Sequence, residues 1–174
     1  PDVEADITVS WEVALDANFS QMVTNGVMKT NAKRDYTVKI DAVGLEAGKG
    51  YFYRFKSGKY VSDVGMTKTL PEGTVDSVKL AVMSCANYPA GYFNVYALAA
   101  ERNDLDAVIH LGDYLYEYGR GGYASEDAAA LGREVLPAGE LLLLNDYRTR
   151  YAQYRGDISL QKLHAKVAFI TVWD

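Results

Sequence analysis

The feature that most constrains this chain is a change of hydrophobic period near residue 70. Before it, apolar and polar residues alternate with the period of two that a half-buried strand requires. Ile7, Val9, Trp11 and Val13 share one face. Tyr36, Val38 and Ile40 repeat the pattern, as do Tyr51, Tyr53 and Phe55, with Phe52, Arg54 and Lys56 pointing the other way. Asn25-Gly26 and Gly48-Lys49-Gly50 offer turn chemistry between these runs. The pattern predicts an all-β antiparallel sandwich.

Thr69-Leu70-Pro71-Glu72-Gly73-Thr74 then interrupts the alternation as an inter-domain connector would, and the expected division is 1–72 and 73–174. Beyond it, strands alternate with helices. Val78, Leu80 and Val82 form a short apolar strand, followed at helical spacing by Phe93, Tyr96, Ala97 and Ala100. Leu105 to Leu111 forms a second strand. Tyr147, Tyr151 and Tyr154 lie at helical spacing before Leu160 and Leu163, and Val167 to Trp173 forms a third strand. This is the signature of parallel strands joined by crossovers, an α/β arrangement. The stretch from Tyr118 to Pro137 reads as a long loop with one weak helical piece around Asp127 to Arg133.

Composition enters by exclusion. A net charge of -5 supplies no continuous basic surface, so a nucleic-acid-binding surface is not expected. No apolar run approaches the roughly 20 residues of a transmembrane helix. Cys85 is the only cysteine, so no intramolecular disulfide exists and the thiol must be explained singly.

In parallel sheets ligands bind beyond the carboxyl ends of the strands, so the residues just after each predicted strand are the candidates. Those are Met83-Ser84-Cys85, Leu111-Gly112-Asp113 and Trp173-Asp174. A thiolate and carboxylates are metal ligands, and Gly112 allows the sharp turn that aims Asp113 at the strand tip. Tyr116, three residues beyond Asp113, is placed to reach back as a phenolate beside a strong Lewis acid. Structural readings stand beside these. Cys85 alone would be a small buried hydrophobe, and Asp113 a helix cap. A cysteine hydrolase would need an activating histidine, but His110 falls inside a strand and His164 in a helix, where both are expected to be structural. Arg148, Arg150 and Arg155, flanking the tyrosine stripe, are expected on a solvated face.

Taken together, several segments resemble PhoD-type alkaline phosphatases, members of the calcineurin-like metallophosphoesterase superfamily. They are Ala81-Val82-Met83-Ser84-Cys85, Val108-Ile109-His110-Leu111-Gly112-Asp113-Tyr114-Leu115-Tyr116-Glu117, Asp146-Tyr147-Arg148-Thr149-Arg150-Tyr151 and Val172-Trp173-Asp174. The run Leu45 to Arg54 likewise resembles the tyrosine corner of fibronectin type III domains. The resemblance implies a mixed fold: a fibronectin type III-like all-β sandwich, then the first part of an α/β metallophosphoesterase domain. It implies that Cys85, Asp113 and Tyr116 bind ferric iron, with Asp113 shared with a calcium site and Asp174 a possible neighbour. It further implies hydrolysis of a small phosphate ester by a metal-bound hydroxide, in a periplasmic or secreted protein. Two alternatives stay open: a phospholipase D-like phosphodiesterase using the same metals, and a non-catalytic β-sandwich binding module. Because the motif set stops at Asp174, the fragment alone is expected to be inactive and to expose an aggregation-prone sheet edge.

Overall fold

The computed structural model describes residues 5–173, which form two compact units that divide between Ser77 and Val78.

The first unit is built on one antiparallel sheet. Strands β1 (Ile7–Ala14), β2 (Met22–Thr30), β3 (Gly50–Ser57) and β4 (Tyr60–Val61) run in the order β2-β1-β3-β4, and β5 (Gly65–Lys68) also pairs with β3. The carboxylate of Glu12 on β1 meets Arg54 and Lys56 on β3, each at 2.6 Å, which accounts for the cations on the second face of β3. Two expectations fail here. Asn25-Gly26 is not a turn but lies inside β2, with Gly26 opposite Trp11. A Cβ on Gly26 would stand 2.7 Å from the indole, so the glycine is a slot for that ring. The turn is made instead by Asp16, whose carboxylate accepts from the backbone N–H groups of Asn18, Ser20 and Gln21.

The second correction concerns the sandwich. Among the described residues the amino-terminal strands join a single sheet, and Tyr36, Val38 and Ile40 lie on no strand. Asp35 and Tyr36 take left-handed φ values of 52° and 53°, which no strand accommodates. The chain folds back instead, with Thr30 Oγ1 donating to Thr37 O at 2.7 Å.

Preceding β3, the corner anticipated from the sequence is formed. Tyr51 is 2% exposed, and its hydroxyl accepts from the Glu46 N–H at 2.8 Å. Gly48, at φ 68°, turns the chain between them, and its N–H donates to Leu70 O.

The second unit is a three-stranded parallel sheet in the order β6-β7-β8, from β6 (Leu80–Met83), β7 (Ala107–His110) and β8 (Ala168–Thr171). Helix α1 (Asn94–Glu101) links the first pair, and α2 (Leu144–Arg155) with α3 (Ile158–Lys166) precedes β8. The crossovers and the central β7 agree with the alternating pattern. Phe93, Tyr96, Val108, Tyr154, Leu160 and Leu163 form the buried centre of this unit. Asp157 caps α3 by accepting from the N–H groups of Ser159 and Leu160, while Asp146 in the first turn of α2 reaches back to accept from the N–H groups of Leu142 and Leu143. The helical piece expected around Asp127 to Arg133 is a run of turns, closed by Leu131 N–H to Asp127 O.

Both histidines are structural, as expected. His110 on β7 is fully buried, its Nε2 at 3.1 Å from the Tyr96 hydroxyl. His164 on α3 stacks on Phe169 at 3.7 Å, and its Nε2 lies 2.8 Å from the Tyr114 hydroxyl. Burial, reinforced by the charge of Arg155 and by His110, pulls the His164 pKa down to about 3.

Two outcomes follow from this packing. Tyr51→Phe removes one partner of the corner bond and should cost about 1 kcal/mol in urea unfolding; an unchanged midpoint would mean water serves the Glu46 N–H equally well. For His164, the unfolded imidazole gains a proton below about 6.5 while the folded one does not until about 3. Stability is therefore complete above the unfolded value and declines as pH falls through that window, at up to about 1.4 kcal/mol per pH unit. His164→Gln should remove that component, so wild type minus variant stability, measured by urea unfolding between pH 7.5 and 4.5, should fall with acidification.

Candidate metal centre at the tips of the parallel strands

The geometry at the carboxyl ends of β6 and β7 is set by backbone rather than by side-chain packing. Strand β6 ends at Met83, whose carbonyl accepts from Leu111 N–H at 2.8 Å. The two chains then turn together: Cys85 N–H donates to Gly112 O at 3.3 Å and Ala86 N–H to Asp113 O at 2.8 Å. Cys85 and Asp113 both adopt the left-handed region, at φ 59° and 47°, with Gly112 between β7 and Asp113 at φ 118°. Left-handed conformations cost an L-residue roughly 1–2 kcal/mol and cluster at functional sites.

That strain brings two potential ligands together. Cys85 Sγ lies 3.6 Å from Asp113 Oδ2, with Cys85 exposed and Asp113 half-buried. The phenol of Tyr116 lies beside both Asp113 and Cys85, and burial followed by their influence holds it well above the ordinary tyrosine pKa. All three residues singled out from the sequence thus converge. Asp174, the fourth, lies outside the described residues. Asp113 is no helix cap, since the chain beyond it runs on without helix to α2.

As a donor set, a thiol, a carboxylate and a phenol at one point combine soft sulfur with hard oxygen and suit a strongly Lewis-acidic transition-metal cation, which would draw the protons off sulfur and phenol alike. No cluster of three His, Cys, Asp or Glu side chains suited to a metal occurs among the described residues. As donors, the three residues fit part of a coordination shell.

Behind the tips sits a residue that sequence reasoning misplaced. Arg150 is not on a solvated face: it is fully buried in α2. Its Nε donates to Leu136 O at 2.8 Å, its Nη2 to Tyr118 O at 3.1 Å and Pro137 O at 3.3 Å, and its Nη1 to Tyr116 O. The signal was present in the stripe itself, because Tyr147, Arg150 and Tyr154 are spaced three and four apart on one helix face. Arg133 is buried likewise, pairing with Asp157 at 2.9 Å and lying over the Tyr88 ring at 3.6 Å.

A parallel sheet carrying a strained thiol–carboxylate–phenol cluster at its carboxyl edge defines an α/β unit of the kind that places ligand-binding groups at strand tips. Comparison with known proteins gives the family. Residues 80–174 match the family described as PhoD-like phosphatase, and residues 1–71 match its PhoD-like phosphatase, N-terminal domain. Over 170 residues the chain is 40% identical to alkaline phosphatase D of Bacillus subtilis (strain 168), covering 97% of this chain and 28% of that protein. A solved structure described as "Structure of PhoD" superposes with a TM-score of 0.90 at 39% identity, covering 98% of this chain and 32% of the other. The chain belongs to the PhoD-like phosphatase family and spans less than a third of the length of these relatives.

Replacing Arg150 with Met leaves four carbonyl groups without their donor and should destabilise the second unit by about 3 kcal/mol or more. Chemical unfolding of the variant checks this, and a loss below about 1 kcal/mol would show that those carbonyls are otherwise satisfied.

Proposed function

We propose that this chain supplies the first part of the active site of a metal-dependent phosphoesterase, an alkaline phosphatase or phosphodiesterase acting on small phosphate esters. The observation that carries the reading is the pair of left-handed, cross-bonded strand tips that bring Cys85 and Asp113 within 3.6 Å. Family membership and the relative named alkaline phosphatase D support the same chemistry. Ferric iron with calcium beside it, when bound, would neutralise phosphoryl oxygens and acidify water for attack on phosphorus. Cys85, Asp113 and Tyr116 would hold the iron, and Asp113 would also serve the calcium.

The chain's own contribution is placement. The backbone bonds between residues 85–86 and 112–113 fix the spacing of thiol and carboxylate before any cation arrives. The Tyr116 phenol lies beside both. No helix among the described residues is long and apolar enough to cross a membrane. On the family resemblance alone, we place the full-length protein in the periplasm or outside the cell. The amino-terminal unit keeps a buried tyrosine corner like that of fibronectin type III domains, at Tyr51, on one described sheet rather than a two-sheet sandwich.

In the full-length protein, elemental analysis should find iron, and Cys85→Ala and Asp113→Ala should each lower phosphatase kcat/KM more than about 100-fold. Tyr116→Phe should abolish a visible tyrosinate-to-iron charge-transfer band. Iron-free protein whose activity survives both alanine variants would sink the reading.

A further inference from the structure

Immediately beyond Tyr116 the chain forms a feature that the metal cluster does not use. Tyr118-Gly119-Arg120-Gly121-Gly122-Tyr123, which reads as a flexible loop, is a pinned turn. Gly122 N–H donates to Gly119 O at 3.1 Å, Arg120 N–H to Ala138 O at 2.9 Å and Arg120 Nε to Val135 O at 3.1 Å. Glycine is required at two of its positions. A Cβ on Gly119 would meet Ala138 O at 2.8 Å, and one on Gly122 would meet Tyr118 Cβ at 2.7 Å. Closing the turn this tightly brings the rings of Tyr118 and Tyr123 to 6.2 Å from each other. Both also reach Tyr116, Tyr118 nearly parallel to it at 6.2 Å and Tyr123 at 5.9 Å. Tyr118 is 52% exposed and Tyr123 62%, although large aromatic side chains are normally withdrawn from water.

We propose that Tyr118 and Tyr123 form an aromatic subsite, continuous with Tyr116, that stacks against a planar aromatic alcohol component of the phosphate ester. This rests on the phosphoesterase reading above. Tyr116 joins the two sites, since its hydroxyl contacts Asp113 and Cys85 while its ring adjoins the other two tyrosines. Through Tyr116, Tyr118 and Tyr123 thus adjoin the place where the phosphoryl group of an ester would lie, on a path open to its alcohol portion. Ring faces favour a flat π-system over an alkyl chain of equal area, and they do so without reading its hydrogen-bonding pattern. The backbone bonds at Arg120 and the close approaches at Gly119 and Gly122 hold the platform in place before substrate binds, which limits the ordering cost.

The test compares phenyl phosphate, a nucleoside 5′-monophosphate and methyl phosphate as substrates of the full-length protein, with phenylphosphonate and methylphosphonate as inhibitors. Tyr118→Ala combined with Tyr123→Ala should lower the phenyl-to-methyl ratio of kcat/KM about tenfold, mainly through KM, and weaken phenylphosphonate inhibition relative to methylphosphonate by a similar factor. Tyr118→Phe with Tyr123→Phe should restore the ratio. A parallel loss for the nucleotide extends the subsite to nucleobases, and its retention restricts the subsite to simple aryl groups. Ratios that stay constant while all substrates decline together would overturn the inference, and would identify the rings as a surface covered by another part of the polypeptide. Wild-type protein that hydrolyses no ester, or hydrolysis that survives Cys85→Ala, would instead remove the phosphoesterase reading and this inference with it.

Discussion

The second unit depends on one buried cation. Between β7 and α2 the chain runs through residues 111–143 with little regular structure, and a segment of that length carries many carbonyl groups that no ladder or helix satisfies. Arg150 answers four of them at once, at Tyr116, Tyr118, Leu136 and Pro137. Its guanidinium suits the task because its planar, forked donors diverge, whereas a lysine ammonium is a compact point charge. Withdrawing it from water is tolerable because nearly every N–H has an acceptor. Helix α2 thereby becomes a fixed post to which both ends of the irregular segment are tied.

Such a post was hard to see in the sequence for a physical reason. An arginine among tyrosines on a helix is normally amphipathic, burying its stem and leaving its head in water. Whether the head is also buried depends on carbonyls contributed by residues up to 34 positions away, and local spacing carries no record of those. The same holds for Asn25-Gly26. The dipeptide is a strong turn signal when only neighbours are considered, but its use here was decided across the sheet by the indole of Trp11.

Features governed by local rules were legible. The parallel strands β6, β7 and β8 follow from apolar runs separated by helical spacing, and their tips identified Cys85 and Asp113 without reference to any side-chain contact. Tyr51 was legible because its corner spans only five residues. By contrast, Tyr36, Val38 and Ile40 alternate like a strand but form none, since two successive left-handed residues at Asp35 and Tyr36 turn the chain away from the ladder. Alternation reports which side chains seek a common face. It does not report whether a partner edge is within reach.

At the strand tips, two left-handed residues cost roughly 1–2 kcal/mol each, and the two backbone hydrogen bonds between them return about 1 kcal/mol each. These nearly cancel, so hydrogen bonding alone does not hold the arrangement. The surplus comes from the residues that follow: Ala86 is 5% exposed and Leu115 7%, and both belong to the apolar cluster that also contains Val108, Leu160 and Leu163. Each tip is thus a strained residue within two positions of a buried apolar anchor. Tyr116, next after Leu115, inherits its placement from that anchor on one side and from the Arg150 bond to its carbonyl on the other. Its phenol is left to turn toward Cys85 and Asp113 while its backbone is held from behind. Core packing, the buried guanidinium and the thiol–carboxylate pair consequently meet at this single tyrosine, and disturbance of any one of them is transmitted to the geometry of the cluster.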